Sequence, residues 1–418
     1  MSSSESVLEP SAAPTPQVSP DRLPEMLGPE MPAFNDALPE ATESVTEAFS
    51  MGVEEEYQII HPANRELYAK AEEILPIAQQ SLGDEVQPEL KRSQIEIATP
   101  VCQTLAEVRE QLNHARRSVI QAAMTQGARI AAAGTHPFSR WQNQPIMPKE
   151  RYQGLLEDFQ QLAREMLIWG CHVHVGIRDR EMAVQVMNRA RYWMAPLLAL
   201  TANSPFWLGA DTGYDSYRTL LWSRWPMSGL PPHFDSYADY KSLVQQFAET
   251  GCIEDATKIY WDIRLSERFP TIEFRVSDVC MTVDEAVMLA GLIRALAQTC
   301  YAEAQQRQPS PNLRPEVLRF AHWRSARYGL STELMDVRTG KSVPAPELIQ
   351  SMLEWLRPVL ESHGEWGEVS GLVNKILTQG TGAARQRQVY QQTGSWEAVV
   401  DRIVRETAAG LDLNLDSR

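Results

Sequence analysis

The chain predicts an α+β fold in which one sheet forms the floor of a site. Three observations carry this expectation. Polar groups recur at every second residue in three short segments placed early and mid-chain: GVEEEYQ at 52–58, CHVHVG at 171–176 and TIEFRVSD at 271–278. Longer stretches of helical period lie between these segments and after them. No internal repeat divides the sequence, so strands with polar faces and helices must share one architecture.

Taken in order, residues 51–60 read as a strand, and Pro62 and Asn64 form the turn after it. A helical stretch follows at 69–81, broken by Pro76, which removes a donor from the helix ladder. Residues 89–98 read as a second strand, stopped by Pro100. Leu105, Val108, Leu112 and Ala115 recur at helical spacing, predicting a long amphipathic helix over 104–126 that Gly127 ends. The Ala-rich stretch 129–134 suits a short buried strand, and 139–152, with Trp141, Pro145, Pro148 and Lys149, a loop. Helical pattern returns at 154–167 and leads into the histidine strand, and another helix covers 179–202. Residues 204–232, rich in Trp, Arg, Gly and Pro, are too polar and broken for a core element. Long loops of that kind inside a domain are often lids or binding loops. Strands are expected at 258–265 and 271–276. From Thr282 onward the pattern is mainly helical, with loops near 308–314 and 336–346.

The 418 residues could build one large catalytic domain or two smaller ones. The net charge of -15 excludes a nucleic-acid-binding surface, which needs clustered Lys and Arg. Eight of those charges come from residues 1–50, where nine acids face Arg22 alone. Rich in Pro and Ser and without apolar period, 1–50 reads as a disordered acidic tail, leaving 51–418 as a single catalytic domain. The tail resembles neither a secretory signal nor a transit peptide, and no later stretch is apolar for long enough to span a bilayer. A soluble cytoplasmic protein is the expectation, with no membrane partner. Five scattered cysteines, in no CxxC pair, suit reduced thiols packed as small apolar groups.

On a strand, residues i and i+2 share a face. Glu54 and Glu56 then point one way, with Gln58, while Val53, Glu55 and Tyr57 point the other. Alone, three glutamates in a row more often form a solvated edge. The second strand changes the balance: Glu96 sits between Ile95 and Ile97, and Glu89 lies seven residues earlier. A buried acid requires a cation or strong hydrogen bonds. His172 and His174 likewise share a face, an arrangement that also fits zinc hydrolases, cupin-type iron sites and plain core histidines. Without HExxH or CxxC, the many carboxylates favour Mg²⁺ or Mn²⁺. Glu273 and Arg275 are either a same-face ion pair or a metal ligand beside a phosphate-binding guanidinium. The chain has no GxxxxGK[ST], and no GxGxxG follows a strand, so ATP use would need a site where metals hold the phosphates.

Seven segments together carry a resemblance: 52–58, SQIEIATPV at 93–101, AGTHP at 133–137, CHVHVG, ANSPFW at 202–207, TIEFRVSDVC at 271–280 and GTGAARQR at 380–387. In this order they resemble the glutamate–cysteine ligase type 2 family, and within it the YbdK-like carboxylate–amine ligases, over roughly residues 51–407. The resemblance implies a glutamine-synthetase-like catalytic fold, a curved, mainly antiparallel sheet shaped as a funnel with helices packed outside. It implies an enzyme that uses ATP and Mg²⁺ to phosphorylate the γ-carboxylate of glutamate, after which an amine such as cysteine attacks the acyl phosphate. A homodimer is also suggested.

Carried over residue by residue, the resemblance makes Glu54, Glu56, Glu89, Glu96, His172 and Glu273 the metal ligands and Arg275 the phosphate contact, with Glu273 and Arg275 central to catalysis. His174 becomes a substrate-facing or supporting residue. Arg218, in DSYRT, is the candidate for gripping a substrate carboxylate, because the arginine fork matches that group; pairing with Asp211 or Asp215 is the bland alternative. Tyr217, Trp222 and Arg224 are lesser candidates of the same kind. Arg324 and Arg327 share a helix face that could reach phosphate or simply be solvated, and 380–382 could bind an anion or merely cap a helix. Two other classes stay open: a Zn²⁺ or Fe²⁺ metalloenzyme using HxH without a nucleotide, and a catalytically silent binding protein.

Overall fold

The computed structural model describes residues 48–310 and 312–414. The tail expected at 1–50 lies outside them as far as residue 47. Contacts begin inside that stretch: the Phe49 N–H donates to the Gly176 carbonyl at 2.9 Å, and its ring meets Tyr301 edge-on.

Seven strands form the main sheet: β1 (Met51–Ile60), β2 (Val86–Pro88), β3 (Gln94–Ala98), β4 (Arg129–Ala131), β5 (Gly170–Gly176), β6 (Ile263–Leu265) and β7 (Thr271–Asp278). Their order is β6-β7-β5-β1-β3-β2, with β4 also paired to β1, and every pairing is antiparallel. Helices on the sheet complete the predicted α+β class. Val53, Tyr57 and Ile59 of β1 are almost fully buried, as are Val173 and Val175 of β5. The helices Leu105–Thr125 and Val283–Gln305 pack against β1. Thr104 caps the first by accepting the Glu107 N–H, and a Thr282–Glu285 capping box starts the second.

Glu55 shares the buried face, and what holds it there also fixes the strand. Arg116, from the helix behind, donates to its carboxylate through Nε at 2.9 Å and Nη2 at 2.5 Å, and the Tyr57 hydroxyl donates at 2.5 Å. The guanidinium also donates to the carbonyls of Met281, Thr407 and Cys280. With Glu55 pinned behind, alternation puts Glu54 and Glu56 on the opposite face.

Several elements differ from expectation. The helix Ala71–Leu82 runs through Pro76, because Ile74, Leu75, Ala78 and Leu82 bury its apolar face. Residues 89–98 are not one strand, and Glu89 lies in the turn between β2 and β3. The helical stretch at 154–167 is two pieces, Glu150–Phe159 and Gln161–Glu165, separated at Gln160, whose φ is +46°. The stretch 179–202 is Arg180–Ala190 and Met194–Thr201, joined by a short 3₁₀ turn. The segment 204–232 contains the helix Tyr217–Trp222. A hairpin, Glu333–Asp336 with Lys341–Pro344, occupies part of the loop expected at 336–346.

Candidate active site

Register brings the predicted residues together. Glu56 lies opposite Glu96, Glu54 opposite His172, and Glu273 opposite His174. The pairing of β7 with β5 shifts between Phe274 and Ser277, so Arg275 and Val276 together oppose His172. Such a bulge re-aims side chains. Unbroken alternation would place Asp278 on the face away from Glu273 and Arg275; the extra residue moves it to theirs.

Glu54, His174 and Glu273 offer ligand atoms all within 4.8 Å of one another. His174 Nε2 lies 3.2 Å from a Glu54 oxygen, without hydrogen-bond geometry, and Nδ1 is 3.0 Å from the Thr271 hydroxyl. The sequence reading put His172 among the metal ligands; the three side chains that the structure brings within ligand reach of one another include His174 instead. The reason is that His172 Nδ1 is already 3.0 Å from the other Glu54 oxygen, and the far side of its ring lies beside Gly170 and Arg218. Burial, then the charge of Arg275, hold His172 down at about 4, a neutral imidazole at pH 7. The two histidines do not form a paired-imidazole metal group among the described residues.

Charge is divided along this face. Burial alone would raise Glu54, but the hydrogen bond from His172 and the nearby His174 ring hold it far below the usual carboxylate range. Burial also opposes ionisation of Glu273, yet Arg275 and Arg264 overcome it. Arg264 donates from Nε at 2.8 Å, and Arg275 pairs with the other oxygen. The remaining acids go the other way. Burial and the charge of Glu89 push Glu56 up to about 7. Burial raises Glu89, and burial with the charges of Glu54, Glu89 and Glu56 raises Glu96 well above normal. Buried carboxylates that repel one another ionise together only when a cation joins them. An oxygen-rich set with one imidazole fits Mg²⁺ or Mn²⁺.

Arg218 is buried at this edge. Its Nη2 reaches the Arg275 carbonyl at 3.4 Å, Nε has no partner, and it forms no ion pair among the described residues. The bland alternative fails, since Arg387 takes both Asp211 and Asp215. Arg218 is placed by a residue the sequence reading passed over. Asp278 accepts from the Asn203 N–H at 2.7 Å, the Ser204 hydroxyl at 2.7 Å and the Ser216 hydroxyl at 2.8 Å. Ser204 Oγ then accepts the Arg218 N–H at 3.0 Å. Arg264 was also missed, although its alternation with buried Ile263 and Leu265 marks it as facing Glu273.

The lesser candidates have structural partners. Arg224 pairs with Glu165 at 2.6 Å, and the Trp222 indole donates to the Tyr260 carbonyl at 3.3 Å. Arg324 donates to the Glu333 carbonyl, and Arg327 to that of Gly213. Thr381 caps the helix Gly382–Thr393, and Gln386 docks it on Asn203. All five cysteines are free, and Cys252 alone is exposed.

Residues 50–405 match the family model described as glutamate-cysteine ligase family 2. The chain belongs to that family. A provisionally named glutamate–cysteine ligase 2 of Rhodopirellula baltica is 43% identical over 363 residues, covering 86% of this chain and 96% of its own length. A relative of the same provisional name in Herpetosiphon aurantiacus is 39% identical over 366 residues, covering 88% and 95%. Among solved structures, the glutamate–cysteine ligase of Francisella tularensis in complex with AMP superposes with a TM-score of 0.65 at 12% identity, covering 87% of this chain and 90% of that one. A bifunctional glutathione synthetase from Pasteurella multocida gives 0.66 at 16%, covering 87% of this chain and 53% of that one. The fold of this family 2 ligase is glutamine-synthetase-like, as the sequence motifs implied. The protein is an ATP-dependent ligase. Among the described residues no helix is long and apolar enough to cross a membrane.

Proposed function

We propose that this family 2 ligase joins the γ-carboxylate of L-glutamate to the amine of L-cysteine through an acyl phosphate, with ATP and Mg²⁺. The observation that carries the reading is the single sheet face on which Glu54, His174 and Glu273 converge beside Arg264, Arg275 and Arg218. Carboxylates there would hold divalent cations, and the arginines would receive anions. A bound divalent cation offsets charge on the triphosphate and on the transferred phosphoryl group.

The chain's own residues do the rest. Arg218, without an ion pair, binds a carboxylate of glutamate. Arg275, fixed by Glu273 and by the bulge, faces the group being transferred. A γ-carboxylate oxygen attacks the terminal phosphorus and ADP leaves. The neutral amine nitrogen then attacks the acyl carbon, the bond to the phosphate oxygen breaks, and phosphate leaves with the electron pair and takes up the proton that the nitrogen gives up. Holding the reactants on one rigid face turns both displacements into effectively unimolecular steps.

The test is phosphate release from ATP with Mg²⁺, first with glutamate alone and then with a panel of amines including cysteine, with products identified by mass. Glutamate-dependent release that rises with cysteine and yields the γ-glutamylcysteine mass is the expected result. A different γ-glutamyl mass would replace the acceptor and keep the reaction class. Release independent of glutamate and of every amine would overturn the proposal. Activity must also survive a zinc chelator, which a zinc enzyme of the HxH type would not.

A further inference from the structure

Beside the site stand a buried acid and a partly buried histidine to which neither the metal group nor the arginines lay claim. Asp262 precedes β6, and its carbonyl accepts the Arg275 N–H at 2.8 Å, so the backbones of the two residues are neighbours. Its side chain is nearly as buried as the core, at 4% exposure. No hydrogen bond reaches Asp262 Oδ2 among the described residues. The nearest charge partner is His322 Nε2, 3.5 Å away, on the helix Pro315–Tyr328. His322 Nδ1 has no partner either. The Arg275 guanidinium, which could have neutralised the acid, is bound to Glu273 instead.

The location is on the substrate side. The helix carrying His322 packs against the helix Tyr217–Trp222, which bears Arg218. One turn beyond Arg218, Trp222 lies with its ring centroid 5.1 Å from that of Tyr260, two residues before Asp262.

The hydrogen-bond inventory defines what is missing. A carboxylate accepts only, and a neutral imidazole offers one donor and one acceptor. In either tautomer the pair therefore has more acceptors than donors. Burial holds His322 below its ordinary pKa, with the charge of Asp262 opposing, so the ring does not supply the missing positive charge at neutral pH. A buried acceptor left without a donor is destabilising, the more so when it is charged. A primary ammonium group supplies one positive charge and three donors on a single small atom.

Resting on the carboxylate–amine ligase reading, we infer that Asp262 and His322 form the receptor for the primary ammonium group of an amino-acid substrate. Two substrates carry that group, the acceptor amine and glutamate through its α-ammonium. Placing it next to Arg275 holds the amino acid against the acyl-transfer site by its cationic end while Arg218 takes an anionic end.

The experiment uses the full chain with MgATP and hydroxylamine, which is largely uncharged at neutral pH and traps an acyl phosphate as hydroxamate. Two readouts are compared between wild type, Asp262→Asn and His322→Gln. The first is the preference for L-glutamate over glutarate, which lacks the ammonium group. The second is inhibition of hydroxamate formation by methylammonium. An at least tenfold loss of glutamate preference assigns the pair to the donor's ammonium. An at least tenfold weaker methylammonium inhibition assigns it to the acceptor's. If both readouts stay at the wild-type value in both variants, the pair only ties a helix to the sheet and the inference is wrong. Asp262→Glu, which keeps the charge, should restore part of any loss; a variant that is merely misfolded loses turnover without changing either ratio, which also counts against the site. Absence of hydroxamate in the wild type would instead remove the ligase reading itself, and the ammonium receptor with it.

Discussion

Substituting Glu55→Gln tests how β1 holds its functional face outward. Both Glu55 and Arg116 are fully buried, and the carboxylate collects two guanidinium donors and the Tyr57 hydroxyl. Removing one partner of a buried ion pair typically costs about 3–5 kcal/mol, because the other charge stays desolvated. Gln keeps one accepting oxygen, and three backbone carbonyls still receive Arg116. This places Glu55→Gln at the low end, about 3 kcal/mol. Arg116→Leu also strips donors from those three carbonyls, at about 1 kcal/mol or more each, so it should cost clearly more. In urea denaturation with a slope of about 3 kcal/mol/M, the first variant shifts the midpoint down by about 1 M. A shift below about 0.3 M, or a milder effect for Arg116→Leu than for Glu55→Gln, would refute the argument that this pair pins the strand.

Other outcomes are expected at and around the site. Glu54→Gln and Glu273→Gln should each lower kcat by about 10²-fold or more with an unchanged circular dichroism spectrum, and wild-type-like turnover in either removes that residue from the metal group. A Cβ at Gly170 would meet Arg218 Nη2 and come within 3.1 Å of His172 Nε2; Gly170→Ala should therefore raise the KM for the carboxylate substrate about tenfold while the melting temperature moves little. His136 is buried, accepts the Phe138 and Ser139 N–H groups on Nδ1, and is held down to about 3 by burial. The unfolded chain then binds this proton first, so the stability His136 confers is intact above its unfolded value of 6.5 and is lost as pH falls toward about 3. His136→Gln should flatten the acid limb of stability against pH by about 1.4 kcal/mol per unit at most, and an identical acid limb would show that the proton is taken up without unfolding.

Period-two spacing was enough to read the faces of β1 and β5, because alternation is local and the apolar partners of each strand mark the buried side. It also exposed Glu96, flanked by Ile95 and Ile97. What local spacing could not carry was register. His172 and His174 share a face, and only the pairings of Glu54 with His172 and Glu273 with His174 decide which imidazole joins the three-ligand group. The bulge in β7 was equally hidden, since nothing in TIEFRVSD announces an extra residue, and it alone turns Asp278 toward the site. Arg218 was visible as a loop arginine, but its freedom from Asp211 and Asp215 depends on Arg387, some 170 residues later. The helix through Pro76 follows the same logic in reverse: burial of four apolar side chains outweighed one lost backbone bond.

The Asp278 knot has a consequence for how this scaffold tolerates change. Its three hydrogen bonds clamp the segment at Asn203–Ser204 and again at Ser216, and Arg218, two residues past the second clamp, donates its N–H to Ser204 of the first. Between the clamps the chain runs out through a small hairpin, Phe206–Trp207 with Ala210–Asp211, whose tip at Gly209 and Ala210 is exposed. Length added at that tip is mechanically isolated from the guanidinium, because both ends of the loop are tied to the strand bearing Glu273 and Arg275. The tip is accordingly a graft point, where a reporter or a new recognition segment can be installed while Arg218 keeps its place.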